Sequence, residues 1–427
     1  MRFVKVLVCG ALALPVVSLA FGSPSAGAEE SAESRAAKRP ALVRFLDNDY
    51  YKISLDIRAR IELADFEEDL ESSQAYTIRT RAGIGSKPFY GLSAYAELEN
   101  TLAIKPSEYF DAVEPPTGQS PIADPEETDL NQLFARYQNA DLLDADVVFG
   151  RQRITLDDHR FIGNVGWRQN EQVYDAVRGS TSLGIEHLDV MYGYIKYVQR
   201  IFGNEGPPAT RDFHSDSHLI HFGYDAWSAA NLAVFAYLLD FDNSPANSSN
   251  SYGFRVSGAQ PVSDRWTLGY AGSYAVQTDA ANNPVDYVAH YVAAEGGVAH
   301  RGTGGVSLGY ELLGSDDGKA RFVTPLATGH KFNGWADVFL DNGGPNGLQD
   351  LYAGVTPELP FGLKSILVYH RFWSDEGGNS LGYELDAQIL RKFGKHVTVL
   401  TKFAYFDGRV DALSDRWRYW LEATFQY

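Results

Sequence analysis

The sequence has almost no cysteine. Cys9 is the only one, and it lies in the N-terminal apolar segment, too close to the start for a lipoprotein acylation site. The chain beyond that segment therefore has no disulfide, no thiol chemistry and no Cys-based metal site. It also lacks any twenty-residue apolar stretch after position 28, which excludes a helical membrane span there. Interdomain linkers rich in Pro or Ser and long helical periods are missing too, although the length alone suggests two or three soluble domains. Basic charge is in deficit, with 37 Lys and Arg against 55 Asp and Glu and a formal charge of −18. That balance excludes a nucleic-acid partner, because phosphate binding needs a net basic surface. No Gly-x-Ser-x-Gly elbow, His-Glu-x-x-His or phosphate loop occurs, so the chain is read as a non-enzyme without cofactor or metal.

What is there begins with Arg2 and Lys5, an apolar run from Val6 to Phe21, and small residues ending Ala26-Gly27-Ala28. This order reads as a secretory signal peptide, residues 1–28, with cleavage after Ala28. Pro15 interrupts the apolar run and argues against a membrane anchor. Residues 29–46 read as a flexible periplasmic leader, and 47–427 as one β-barrel.

The case for a barrel rests on strand period. From Lys52 to Leu63, Ile53, Leu55, Ile57, Ala59, Ile61 and Leu63 alternate with Lys52, Ser54, Asp56, Arg58, Arg60 and Glu62. A half-buried strand of a soluble sandwich has the same period. Repetition decides. Tyr76, Ile78, Ala82 and Ile84 oppose Thr77, Arg79, Arg81 and Gly83; after a Gly85-Ser86-Lys87-Pro88 turn, Leu92, Ala94, Ala96 and Leu98 oppose Ser93, Tyr95, Glu97 and Glu99. An Arg facing lipid near mid-bilayer costs roughly 2–4 kcal/mol, so the arginine face is expected inward. In lipid every backbone donor must be satisfied, so the sheet must close.

Comparable segments fall near 130–138, 146–156, 171–180, 184–197, 216–225, 230–241, 251–260, 265–277, 286–298, 303–313, 348–357, 363–373, 381–391, 396–406 and 416–427. Together they predict an all-β transmembrane antiparallel barrel of about eighteen strands, an even number as bacterial single-chain barrels prefer. At 146–156 and 363–373 charged and bulky apolar residues share a phase, which a bulge would explain. Short breaks at 85–88 and 140–144 alternate with long ones at 100–129, 157–170, 198–215 and 314–347, as short periplasmic turns alternate with long extracellular loops. Tyr50, Tyr51, Tyr90, Trp266 and Trp417 suit interfacial girdles. The last segment ends on Tyr427 in an outward phase, resembling the C-terminal signal read by outer-membrane assembly machinery, where Phe is usual.

Two blocks carry a family resemblance: Val148-Phe149-Gly150-Arg151-Gln152-Arg153 followed by Arg160 to Asn170, and Phe322 to Asp337 followed by Gly347 to Tyr352. With Tyr369-His370 and Gly382-Tyr383-Glu384-Leu385-Asp386, they make the chain resemble the alginate export family of outer-membrane porins from about 50 to 427. The resemblance implies an eighteen-stranded monomeric barrel in a Gram-negative outer membrane, among lipid and lipopolysaccharide, with an arginine-lined constriction for a carboxylated polysaccharide. Arg151 and Arg153 are the positions it carries over to that constriction. The His330-Lys331-Phe332-Asn333-Gly334-Trp335 block departs from the pattern, so the resemblance speaks for the channel more than for the polymer.

Arg58, Arg60, Arg79, Arg81, Arg136, Arg151 and Arg153 all fall in the first five strands. Read functionally, they form a guanidinium ladder that passes carboxylates from site to site, selecting anionic polysaccharide or smaller organic anions. Read structurally, they pair with Asp56, Glu62, Glu97 and Glu99 and stiffen the wall. His330, Lys331 and Trp335 are candidates for a gate if loop 314–347 enters the pore; the other reading is a packed extracellular loop. Three alternatives stay open: a nonselective porin, an outer-membrane hydrolase with Ser215, Asp216 and His218 as nearest candidates, and a structural or adhesive barrel whose lumen is blocked by side chains. His214, His218 and His221 cluster within a few residues, but His218 and His221 differ in strand phase and no carboxylate framework at a recognisable spacing supports a metal there.

Overall fold

The computed structural model describes residues 48–427 except 67–69, 114–117, 205 and 207–210. The expected signal peptide and leader lie outside the described residues. The first strands are β1 (Tyr51–Phe66), β2 (Ser73–Ser86), β3 (Leu92–Ala103), β4 (Glu127–Asn139), β5 (Ala145–Gln152), β6 (Val173–Thr181) and β7 (Leu188–Gln199). Next come β8 (Asp212–Tyr224), β9 (Asn231–Leu239), β10 (Ser249–Pro261), β11 (Trp266–Asp279), β12 (Val288–His300) and β13 (Gly304–Leu313). A two-stranded loop hairpin, β14 (Ser315–Asp316) with β15 (Ala320–Arg321), precedes β16 (Leu348–Pro357), β17 (Lys364–Trp373), β18 (Ser380–Phe393), β19 (Val397–Gly408) and β20 (Arg416–Gln426).

Leaving out the hairpin, eighteen strands pair antiparallel in chain order, and β20 returns to β1. At that seam Ile57 faces Phe425 and Arg60 faces Glu422. Closure leaves no unpaired strand edge, which is what a sheet surrounded by lipid requires.

Period two sorts the side chains as the cost argument demands. Arg58, Arg60, Arg79 and Arg81 are buried inside, whereas Ile84, Leu98, Leu102 and Leu133 are each at least half exposed on the outer wall. Exposed Tyr50, Tyr90 and Trp266 crowd the rim with the short turns. The bulge expected in 363–373 is present at Phe372/Trp373. In 146–156 the strand stops at Gln152, and Gly150 adopts φ +120°, where an added Cβ would stand 2.3 Å from the Leu133 carbonyl oxygen. A further bulge between Glu97 and Leu98 turns both Asn131 and Gln132 inward, where each donates to Glu97.

Two long loops, L3 (153–172, between β5 and β6) and L7 (314–347, between β13 and β16), fold back into the barrel. They meet through a parallel bridge at Ile162 and Leu326, with Gly163 N donating to Leu326 O at 2.8 Å. Ile154, Ile162 and Trp167 from L3 and Phe322, Leu326, Trp335 and Phe339 from L7 pack with wall residues such as Tyr174, Phe213, Phe406 and Trp420 into the main hydrophobic core. Of the two readings of 314–347, the inward one is therefore the geometry observed. The core of this protein is a loop plug that shares the lumen with polar groups.

Candidate lumen passage and its plug

The plug is anchored mainly by wall charges of β1, β2, β18, β19 and β20. Arg58 donates to the carbonyls of Gly166, Trp167 and Arg168 at 3.0 to 3.1 Å. Arg60 donates to Glu422 at 2.8 Å and to Trp167 O at 2.6 Å, and its guanidinium lies 4.3 Å from the Trp167 ring centre. In return Arg168 of L3 reaches Glu62 at 3.1 Å and Asp337 of L7 at 2.6 Å. Arg418 joins the same node, 2.8 Å from Glu62. Backbone N–H groups of Trp335 and Ala336 donate to Asp386 and Glu384. These charges are buried but mutually paired, the condition under which a low-dielectric interior tolerates them.

Lys402 of β19 closes the plug. Its Nζ lies 2.7 Å from His330 Nε2, 3.8 Å from the Trp335 ring centre and 4.1 Å from that of Trp167. His330 stacks on Trp167 at 4.5 Å with planes 6° apart, and its Nδ1 is 2.7 Å from Asp337. Burial and the neighbouring Lys402 and Arg168 push His330 down to about 3, against the opposing pull of Asp337. The imidazole is thus neutral: Nδ1–H donates to Asp337, and Nε2 accepts from Lys402. Burial opposes the ionised form of Asp337, yet His330 and Arg168 hold its carboxyl well below the usual carboxylate range.

The seven arginines singled out from sequence come together only in part. Arg79 pairs with Asp56, Arg81 with Glu99 and Glu171, and Arg153 with Glu97 and Glu171 at 2.6 and 2.5 Å. Although burial raises it, Arg153 and Arg81 hold the L3 carboxyl of Glu171 down to about 2. Arg136 is separate, near the short-turn rim, with both arms on Asp146.

Arg151 requires a correction. It is in phase with Phe149 and Val147 and opposite Leu133, all exposed on the outer wall, and it pairs with Asp175 at 2.7 Å. Asp175 in turn stands between Tyr174 and Ala176, which are buried inside. Strand phase thus puts Arg151 outside the lumen, near the long-loop rim. The shared Gly-Arg-x-Arg motif concealed this because Arg153 follows after the strand has ended.

Two cavities run beside the plug on the β7 to β13 flank and along the wall beyond it. One, of about 530 Å³, starts at the short-turn rim by His187 and Asp225 and reaches Asp157, Asp158, His221 and Arg255. The other, of about 160 Å³, is bounded by Tyr291, Glu295, Lys331, Phe332, Tyr352 and His370. Asp158 and Arg255 line both. None of the seven arginines lines either. Lys331 does, and Trp335 lines the smaller one, whereas His330 is behind the plug surface.

Acids outnumber bases along these cavities, yet most are engaged. Asp157 meets His221 at 3.1 Å, Asp225 meets His187 at 2.9 Å, and Glu311 meets Arg160 at 2.9 Å. Asp350 meets His370 at 3.0 Å, and Glu295 accepts from the Tyr352 hydroxyl at 2.8 Å. The cations have spare donors: Arg255 uses Nη1 toward Asp158 and Ser273, and Lys331 donates to one acceptor, Asp158 O at 2.7 Å.

Sequence reasoning missed Lys402, Arg168, Asp158 and Arg255. For Arg168 the signal was the loop block Arg160 to Asn170, and for Asp158 the long break 157–170 that contains it; Lys402 and Arg255 are single inward charges on otherwise ordinary strands. The hydrolase candidates do not meet. Ser215 is inward and donates to Ser217, while His218 is outward beside Tyr192. Among the described residues no group of three or more metal-ligating side chains is present.

The comparisons with known proteins agree with this architecture. Residues 50–191, under half of the chain, match the family model described as alginate export. No curated protein matches the sequence. Among solved structures, OccAB3 of Acinetobacter baumannii is similar at a TM-score of 0.70 and 12% identity, over 88% of this chain and 99% of that one. OpdK of Pseudomonas aeruginosa with vanillate gives 0.68 and 13%, over 88% and 98%. OpdK, named an outer membrane protein, is also similar in a further structure at 0.66 and 14%, again over 88% and 98%. The fold is thus a closed eighteen-stranded antiparallel barrel, similar over most of its length to these solved structures.

Proposed function

From a closed outer-membrane barrel whose plug fills one flank, we propose that this chain is a passive channel for small anionic solutes, carboxylates foremost. The observation that carries the reading is the pair of polar cavities sharing Arg255, where Arg255 and Lys331 are the cations with donors to spare. The low-dielectric walls of a narrow wet lumen focus the field of these cations on an anion without requiring tight binding. The likeness to a structure holding vanillate, a carboxylate, supports the same class of solute.

In this reading the inward wall arginines seat the plug, and selection falls to Arg255 and Lys331. The match to the alginate export model favours a second cargo, a uronate polymer. Threading it would require release of the paired charges Arg60–Glu422 and Arg168–Glu62, so the small solute is preferred. Secretion to a Gram-negative outer membrane, residence as a monomer among lipopolysaccharide, and insertion by the outer-membrane assembly machinery complete the proposal.

Reversal potentials across planar bilayers in a KCl gradient test it. Anion preference, with benzoate carrying current, is expected. A cation-selective pore, or no conductance at all, would overturn the reading.

A further inference from the structure

Asp158 sits at the junction of the two cavities, and its surroundings are arranged as for a bound carboxylate. Its Oδ2 is 2.9 Å from Arg255 Nη1, with both side chains about one-fifth exposed. The L3 tip that carries it is tightly bent: Asp157 and His159 both take positive φ, 49° and 69°, a conformation that costs non-Gly residues energy and persists only where the surroundings fix it. L7 supplies that fixing, because Thr328 N donates to His159 O at 3.0 Å and Lys331 Nζ to Asp158 O at 2.7 Å. The tip backbone is therefore pinned, and the Asp158 carboxylate, which accepts from Arg160 N at Oδ1 (3.2 Å) and meets Arg255 at Oδ2, is held at the cavity junction by two contacts that side-chain rotation would release.

The cations around it are under-used. Arg255 leaves Nε and Nη2 without a partner among the described residues, and Lys331 spends one hydrogen bond of three on a neutral carbonyl. The carboxylates of Asp158 and Glu295 favour the Lys331 ammonium from nearby, and its two unused N–H donors leave room for an anion to bind it directly. Phe332, Tyr291 and Val368 line the adjoining 160 Å³ space and suit an apolar body attached to that anion.

Resting on the channel reading above, we propose that Arg255 and Lys331 form a binding subsite for the carboxylate of a small monocarboxylate solute, and that Asp158 occupies it as a resident stand-in when no solute is there. A passing solute displaces the Asp158 side chain by rotation about its side-chain bonds, with the loop backbone unmoved. The site thereby attracts its cargo, and the returning Asp158 side chain helps to expel it, so that transit does not end in trapping.

Single-channel current interruption by benzoate is the test, with benzamide as the neutral isostere and KCl conductance recorded throughout. Asp158→Asn keeps the shape and removes the competing charge; the half-blocking benzoate concentration is expected to fall about tenfold. Arg255→Gln and Lys331→Gln should each raise it about tenfold, and benzamide should not block any variant. A half-blocking concentration that Asp158→Asn leaves unchanged or raises, while KCl conductance persists, overturns the subsite. Equal block by benzoate and benzamide overturns it as well. Absence of KCl conductance in the wild type instead overturns the channel reading on which it rests.

Discussion

Lys402 Nζ donates to His330 Nε2 across 2.7 Å inside the barrel, so a wall strand and an inserted loop are joined by a cation on a neutral imidazole. Three indoles, Trp167, Trp335 and Trp420, surround that cation. Such contacts strengthen when the cation is desolvated. Losing one partner leaves the other buried without compensation.

Lys402→Met retains an apolar stem of similar length and removes the charge. It should destabilise the seated plug by about 2–4 kcal/mol. In planar bilayers the expected result is a larger and noisier conductance than wild type; an unaltered trace with an unaltered unfolding temperature would refute the latch.

The same pair sets an acid response. His330 is held down to about 3 in the fold, chiefly by burial, against roughly 6.5 in an unfolded chain. The stability it contributes is therefore fully present above about pH 6.5 and is lost as the pH falls toward 3, at no more than about 1.4 kcal/mol per unit. Asp337, also depressed, adds loss only below the ordinary carboxylate range. Conductance recorded from pH 7 to 4 should rise and become noisy, and His330→Gln should flatten that part of the profile.

Trp335 is buried at 2% exposure and forms one wall of the lysine cage. Trp335→Ala should cost about 3–5 kcal/mol through the cavity it leaves. Limited proteolysis of folded protein should then cut within 314–347, a segment expected to resist in the wild type.

Arg151 and Arg153 separate inside from outside. Because Arg151 faces the outer wall and Arg153 binds Glu97 and Glu171, Arg151→Ala should leave the reversal potential in a KCl gradient unchanged. Arg153→Ala should instead remove the ion pair of Glu97, leave Glu171 with Arg81 alone, and shift the potential toward cations. Equal effects of the two substitutions would contradict the register.

The barrel itself was legible because period two, recurring from segment to segment with the arginines of the first two strands confined to one phase, has few other physical solutions. Even the bulge near Trp373 was visible as a clash of phases. The plug was not. Nothing in the phase of Arg58 or Arg60 says whether an inward guanidinium meets water or a loop carbonyl, since both satisfy it equally. Gly150 defeated the reading of Arg151: with the strand ending two residues later, a spacing of two between arginines no longer means a shared face. Lys402 and Arg255 are lone inward charges whose importance comes from L3 and L7, which reach them from far along the chain.

The seam between β1 and β20 carries much of what holds the loops. Arg58 and Arg60 come from the first strand, Arg418 and Glu422 from the last, and Lys402 from the one before it. Until the two chain ends have met, L3 and L7 have only part of their seat. Sealing the wall thus completes the seat of the plug. A barrel that stalls open would hold both loops loose, exposing Trp167 and Trp335 as a mark by which incomplete molecules differ from finished ones.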